Sequence, residues 1–73
     1  MKQHIMVRNG VVLESLLSAQ FKIQLEDGKE IRAYLSGKMR MNHIRVLPGD
    51  KVIVELRDDM SIANQIGRIT RRN

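Results

Sequence analysis

The sequence predicts an all-β domain: a five-stranded Greek-key barrel with a short helical turn between its third and fourth strands. Three features point there. Apolar residues alternate with polar ones at Phe21, Ile23 and Leu25, at Ile31, Ala33 and Leu35, and at Val52, Val54 and Leu56. That is the period of a strand with one buried face. Asp27-Gly28 separates the first two of these runs, a strong hairpin signal. The stretch from Ser36 to Lys51 follows neither strand nor helix period and carries four basic residues against one acid. It reads as the excursion of an otherwise β chain.

Taken in order, Ile5 to Leu17 is the first strand candidate, with the apolar run Val11-Val12-Leu13 inside it. A glycine within a strand marks a bulge or a sharp bend. Bent at Gly10, one long strand serves two faces of a small barrel; the alternative is a turn between two shorter strands. Leu16 to Gln20 breaks the alternation and reads as a hairpin loop. The runs around Phe21–Leu25 and Ile31–Leu35 then complete a three-strand meander. Ser36 is placed to cap one helical turn over Gly37 to Met41, although a glycine in the first position weakens it. In Pro48-Gly49-Asp50 the proline presets φ and the glycine supplies the positive φ of a type II turn. The fourth strand runs over Lys51 to Arg57. Arg57 to Gln65 is a polar connection without a clear period. The last strand covers about Ile66 to Arg71 and ends in a basic tail at about 71–73. Five strands with an insert after the third suit the OB-fold. A sandwich needs more strands; an SH3-like barrel is a rival that strand counting leaves open.

At 73 residues the chain is expected to form a single domain, 1–73. Folding a chain this short buries only about 60% of its unfolded surface. No cysteine is present, so neither disulfides nor thiolate metal sites are available. The first ten residues lack the apolar core of a signal peptide. No apolar run approaches the ~20 residues of a membrane span. The expected setting is cytoplasmic, or an organellar matrix such as a plastid's, and the expected state is a monomer without membrane contact.

Thirteen basic residues against eight acids leave a formal charge of +5. Such an excess attracts phosphate backbones, acidic proteins and anionic membranes. A membrane-surface reading wants a long amphipathic basic helix, which the sequence lacks, so nucleic acid is the expected partner class. Enzyme signatures are missing. His4 and His43 lie far apart with no HExxH. Gly37-Lys38 has Arg32 where a Walker loop needs its first glycine and Met39 where it needs Ser or Thr. Asp58-Asp59 reads as a solvated pair, and no metal or cofactor is expected.

Binding features are richer. Lys38, Arg40 and Arg45 share the insert; arginine makes forked contacts to phosphate and lysine acts as a mobile point charge. Lys22, Arg32 and Tyr34 lie on the non-core phase of the second and third strands, the usual nucleic-acid platform of an OB-fold. Stacking of Tyr34 on an unpaired base is worth ~1–3 kcal/mol in comparable systems. Arg68, Arg71 and Arg72 add charge at the end of the chain. Met39 and Met41 either wedge against a base or sugar or cover the barrel end. With one Phe and one Tyr, serial base stacking is not available. The grip must rest on phosphates and shape, which suits a structured RNA.

The string Ser36-Gly37-Lys38-Met39-Arg40-Met41-Asn42, with Ile44-Arg45 and Pro48-Gly49-Asp50-Lys51-Val52, resembles the bacterial-type translation initiation factor one family. The likeness extends back through Gly10-Val11-Val12-Leu13-Glu14, Phe21 and Leu25-Glu26-Asp27-Gly28, and forward through Val54-Glu55-Leu56 to Gly67-Arg68-Ile69. It implies a non-enzymatic OB-fold protein that binds the small ribosomal subunit at the aminoacyl-tRNA site, against decoding-region rRNA and a ribosomal protein. There such a protein blocks premature tRNA entry and assists the other two initiation factors. The family's basic motif falls on Lys38, Met39, Arg40 and Arg45, and its last-strand basic residue on Arg68. Tyr34 stands where the family commonly has His, and His43 where it commonly has Tyr. The connection from Arg57 to Ile66 is longer than usual, so contacts of that loop are not carried over. A general RNA-binding chaperone without a fixed ribosomal site is the alternative reading.

Overall fold

The computed structural model describes residues 4–73. Its elements are β1 (Ile5–Ser15), β2 (Gln20–Leu25), β3 (Glu30–Leu35), α1 (Gly37–Met41), β4 (Lys51–Arg57) and β5 (Gly67–Arg72), with a 3-10 turn over Ile62–Asn64 before β5. The strands close into a barrel in the order β1-β2-β3-β5-β4. All pairings are antiparallel except β3 with β5. This circuit, with α1 between β3 and β4, is the OB-fold, so the SH3-like alternative is set aside.

β1 is one continuous strand, not two joined by a turn. It pairs with β4 from Ile5 to Val11 and with β2 from Gly10 to Ser15. Gly10 is the pivot, and its missing side chain permits the crossing. A Cβ there would stand 2.5 Å from Ile23 Cγ2 and 3.1 Å from the Gln24 carbonyl. Gly10 thus serves the two faces without a bulge, which lies further on: Leu13 is the extra residue between the Val12–Ile23 and Glu14–Lys22 pairs. The strand also ends at Ser15, two residues short of the expected Leu17. The hairpin loop after it holds Ser18 and Ala19 at φ 64° and 57°, a region costly for residues with a Cβ. Ala19→Gly is therefore expected to stabilise the fold by ~0.5–1 kcal/mol after the added freedom of the unfolded chain is subtracted; urea melts would read it.

The inward phases agree with the alternation. Val12, Ile23, Leu25, Ile31, Ala33, Val52, Val54, Leu56 and Ile69 fill the barrel, and Met39 and Val46 close one end. Ile62, from the 3-10 turn, packs partly buried against the same core. The polar connection after β4 is organised by side chains. The Arg57 guanidinium grips the Asp59 carboxylate through two hydrogen bonds, of 3.0 and 2.8 Å, and that bonding holds the carboxyl below its usual range. Gln65 accepts from the Arg57 amide and donates to the Arg57 carbonyl, both at 2.8 Å, standing in for a strand partner.

The basic tail expected at 71–73 is largely strand. Arg71 pairs with Ile53 and Arg72 with Val52. Thr70 is an extra residue between these pairs and the Ile69–Val54 pair. The insertion shifts the alternation, so Arg72 shares the register of an inward residue and lies at the barrel end.

Candidate nucleic-acid interface

α1 has five residues, too few to persist alone, and it is held by caps at both ends and by ties to the barrel. Ser36 is extended, and its Oγ accepts from the Met39 amide at 3.3 Å. The Ser36 amide donates to the Ile69 carbonyl of β5 at 2.9 Å, which ties the cap to the barrel. At the other end the His43 amide donates to the Arg40 carbonyl and the Ile44 amide to the Met39 carbonyl, with His43 at φ 53°. This is a Schellman closure, with histidine in the position usually given to glycine. Ile44 and Met39 meet the core as its apolar pair. Removing the cap oxygen by Ser36→Ala is expected to cost about 1 kcal/mol, measurable by thermal or denaturant unfolding.

Met39 is 2% exposed. Of the two roles that the sequence leaves open for it, the side chain has the position of the second and plugs the barrel end. Successive helical residues rotate by about 100°, so burying Met39 turns Lys38 and Arg40 outward, and both are exposed. Met41 is exposed as well. The loop then descends through buried Val46 to the turn Leu47-Pro48-Gly49-Asp50. There the Asp50 amide donates to the Leu47 carbonyl at 3.0 Å and Gly49 sits at φ 91°, as a type II turn requires. The Asp50 carboxylate accepts from the Leu47 amide at 2.8 Å. Arg45 is exposed, and its carbonyl accepts from Arg72 Nη1 at 2.7 Å. A groove of about 540 Å³ runs beneath this edge, lined by Phe21, Leu35, Arg40, His43 and Arg45. His43 is exposed, and its left-handed backbone, a conformation in which Asn, Asp and His are enriched, places it at the mouth of that groove.

A second basic area lies on the outward face of β2, β3 and β5. Lys22 pairs with Arg32, Gln20 with Tyr34, and Tyr34 with Arg68. Lys22 bridges to Glu30 at 3.2 Å. Arg68 bonds to the Glu55 carboxylate, and that hydrogen bond holds its guanidinium above the ordinary arginine range. Tyr34 and Arg68 line an open cleft of about 390 Å³ with Ile5, Met60 and Ile66. The loop after β4 thus builds one wall of a cleft whose other wall carries Tyr34.

The charge balance separates the two areas. Between Glu30 and Asp50 the chain holds Arg32, Lys38, Arg40 and Arg45 and no acid. Ion pairs among the described residues engage Lys22, Arg57, Arg68 and His4 and leave Arg32, Lys38, Arg40, Arg45, Arg71 and Arg72 without one. No group of three or more acidic, His or Cys side chains is placed to hold a metal ion among the described residues.

The family described as translation initiation factor 1A / IF-1 matches residues 3–73. The chain belongs to this family. Among solved structures, translation initiation factor one of the Wolbachia endosymbiont of Brugia malayi is 37% identical over 96% of this chain and 79% of its own, with a TM-score of 0.72. YjeQ of Thermotoga maritima is 26% identical over 93% of this chain but only 23% of its own, with a TM-score of 0.71. The circularly permuted GTPase YloQ, 21% identical and with a TM-score of 0.74 over 24% of its length, shares the fold. The family consists of non-enzymatic translation initiation factors, and membership makes this chain a protein of translation initiation. No helix among the described residues is long and apolar enough to cross a membrane.

Proposed function

We propose that this initiation-factor-one family protein binds decoding-region rRNA of the small ribosomal subunit at the aminoacyl-tRNA site. Occupying the site blocks premature tRNA entry, and a contact with a ribosomal protein and cooperation with the other two initiation factors complete its role. The work is occlusion and bias of rRNA conformation; no bond is made or broken. The observation that carries this reading is the α1 edge. Buried Met39 fixes a capped turn from which Lys38, Arg40 and, further on, Arg45 project without carboxylate partners.

In this reading Lys38, Arg40 and Arg45 take phosphates, and Arg72, whose guanidinium bonds to the Arg45 carbonyl, extends the charge along the same end. Tyr34 offers its ring to an unpaired base. Arg32 and Lys22 follow the adjoining backbone. Arg68 keeps Glu55 on one part of its guanidinium and donates to RNA from another, which its five N–H groups allow.

Competition separates site-specific binding from a general affinity for RNA. A hundredfold mass excess of an unrelated structured RNA is expected to leave the protein on purified small subunits at near-physiological salt. Displacement by that RNA would instead support a chaperone without a fixed ribosomal site.

A further inference from the structure

β1 breaks the pattern that the other strands obey. β2, β3 and β5 turn Lys22 and Gln24, Arg32 and Tyr34, and Arg68 and Arg71 outward. The outward positions of β1 are Ile5, Val7, Asn9 and Val11, with the bulged Leu13 beside them. The four aliphatic side chains are 47%, 54%, 37% and 38% exposed in chain order. Of the inward residues of the same stretch, Gly10 and Val12 are buried, Met6 is half-buried, and Arg8, opposite Val54 near the strand's start, is exposed. An antiparallel strand with one face in water alternates apolar and polar, so from Gly10 to Val12 a strand apolar on both faces is one that is covered on both. The register sets half-buried Ile53 of β4 opposite Asn9, between Val7 and Val11, so the aliphatic surface continues across two strands. Single exposed aliphatics are ordinary, whereas a contiguous row marks an interaction surface.

The surroundings define what covers it. Lys51 stands opposite Val11, and Arg71 opposite Ile53; neither has an ion-pair partner among the described residues. The one carboxylate in the row, Glu55 opposite Val7, is engaged by Arg68. In the closed circuit β1 lies across the barrel from β3 and β5, so from Val7 onward its outward face points away from Arg32 and Tyr34, while Ile5 at its start reaches the cleft of Tyr34 and Arg68. RNA gains little on the aliphatic row itself, since its phosphate donors, Lys51 and Arg71, stand only at its edge. A second copy of a chain with charge +5 would set Lys51 and Arg71 against their own like. We infer that the outward face of β1, with Ile53, docks a protein partner whose aliphatic surface is rimmed by carboxylates. The barrel then holds RNA on one side and protein on the other. The test uses the subunit complex and so rests on the reading proposed above.

Two photoreactive proteins separate the claims, one with p-benzoylphenylalanine in place of Val11 and one with it in place of Arg32. Each is bound to purified small subunits together with the other two initiation factors and irradiated. The Val11 probe is expected to crosslink to protein, at a segment presenting aliphatic side chains beside Asp or Glu. Val7→Asp, repelled by the carboxylate rim, should lower that yield at least tenfold, and Val7→Ile should preserve it. Leu13→Asp, at the bulged position, repeats the test should Val7→Asp melt the fold. The Arg32 probe is expected to reach rRNA. A Val11 probe that crosslinks only to rRNA, only to another copy of the chain, or to nothing while the Arg32 probe still reaches rRNA overturns the protein face alone. Loss of the Arg32 crosslink with the Val11 crosslink kept overturns the rRNA reading and leaves the protein face standing. Loss of both overturns both.

Discussion

Replacing Lys38 and Arg40 together by alanine is expected to weaken binding to purified small subunits by ~15–30-fold at 0.15 M salt. The estimate follows from counterion release. Each lost phosphate contact lowers the slope of log K against log salt by about 0.7–0.9, and extrapolation from 1 M salt gives ~4–5-fold per contact. The double variant should therefore also flatten the salt dependence by about 1.4–1.8 units of slope. Both side chains are exposed and make no ion pair among the described residues, so the unfolding midpoint should stay within the small range of surface substitutions. Loss of affinity with an unchanged slope would point to a contact other than phosphate. Unchanged affinity and slope would remove the α1 edge from the interface.

Met39→Ala is expected to produce the largest loss of stability among the insert's residues, about 2–5 kcal/mol. For a chain of this length total stability is about 4–11 kcal/mol, so the variant sits at the margin of folding. The side chain is fully enclosed at the barrel end, and its removal leaves a void beneath the residues that present Lys38 and Arg40. Met39→Leu, close in volume, should cost less than about 1.5 kcal/mol and retain subunit binding. Denaturant melts of the pair, set beside binding at low temperature, separate an anchor from a contact. Strong loss of binding in a stable Met39→Leu protein would return Met39 to the RNA surface.

That residue also shows where the sequence was hard to read. In a linear motif Met39 sits between two cations and looks like part of their surface. A helix of five residues offers only one inward position, too few for a 3.6-residue period to stand out. Covering the barrel end is one of two readings, and only the barrel beneath the residue decides for it. The strands were different. Phe21-Ile23-Leu25, Ile31-Ala33-Leu35 and Val52-Val54-Leu56 each alternate long enough to fix the core face, and the Ser36 cap was placed to the residue. What escaped depends on a single residue and its distant partner. Thr70 shifts the phase of β5 and carries Arg72 to the barrel end, and nothing in Ile69-Thr70-Arg71 announces the insertion. Gln65 orders the loop after β4 through its amide, a role that any polar residue there could have suggested. The apolar run in β1 was legible, but as strand propensity; that its outward half lacks a cover needed the register with β4.

The proposed occupancy of the aminoacyl-tRNA site meets its most direct test in chemical footprinting of purified small subunits, with and without the protein, at near-physiological salt. The expected result is saturable protection confined to the decoding-site bases, and the Lys38→Ala/Arg40→Ala protein should reach it only at ~15–30-fold higher concentration. Diffuse protection across the rRNA, or none despite measurable binding, would contradict a fixed site and leave a protein that holds RNA without choosing where.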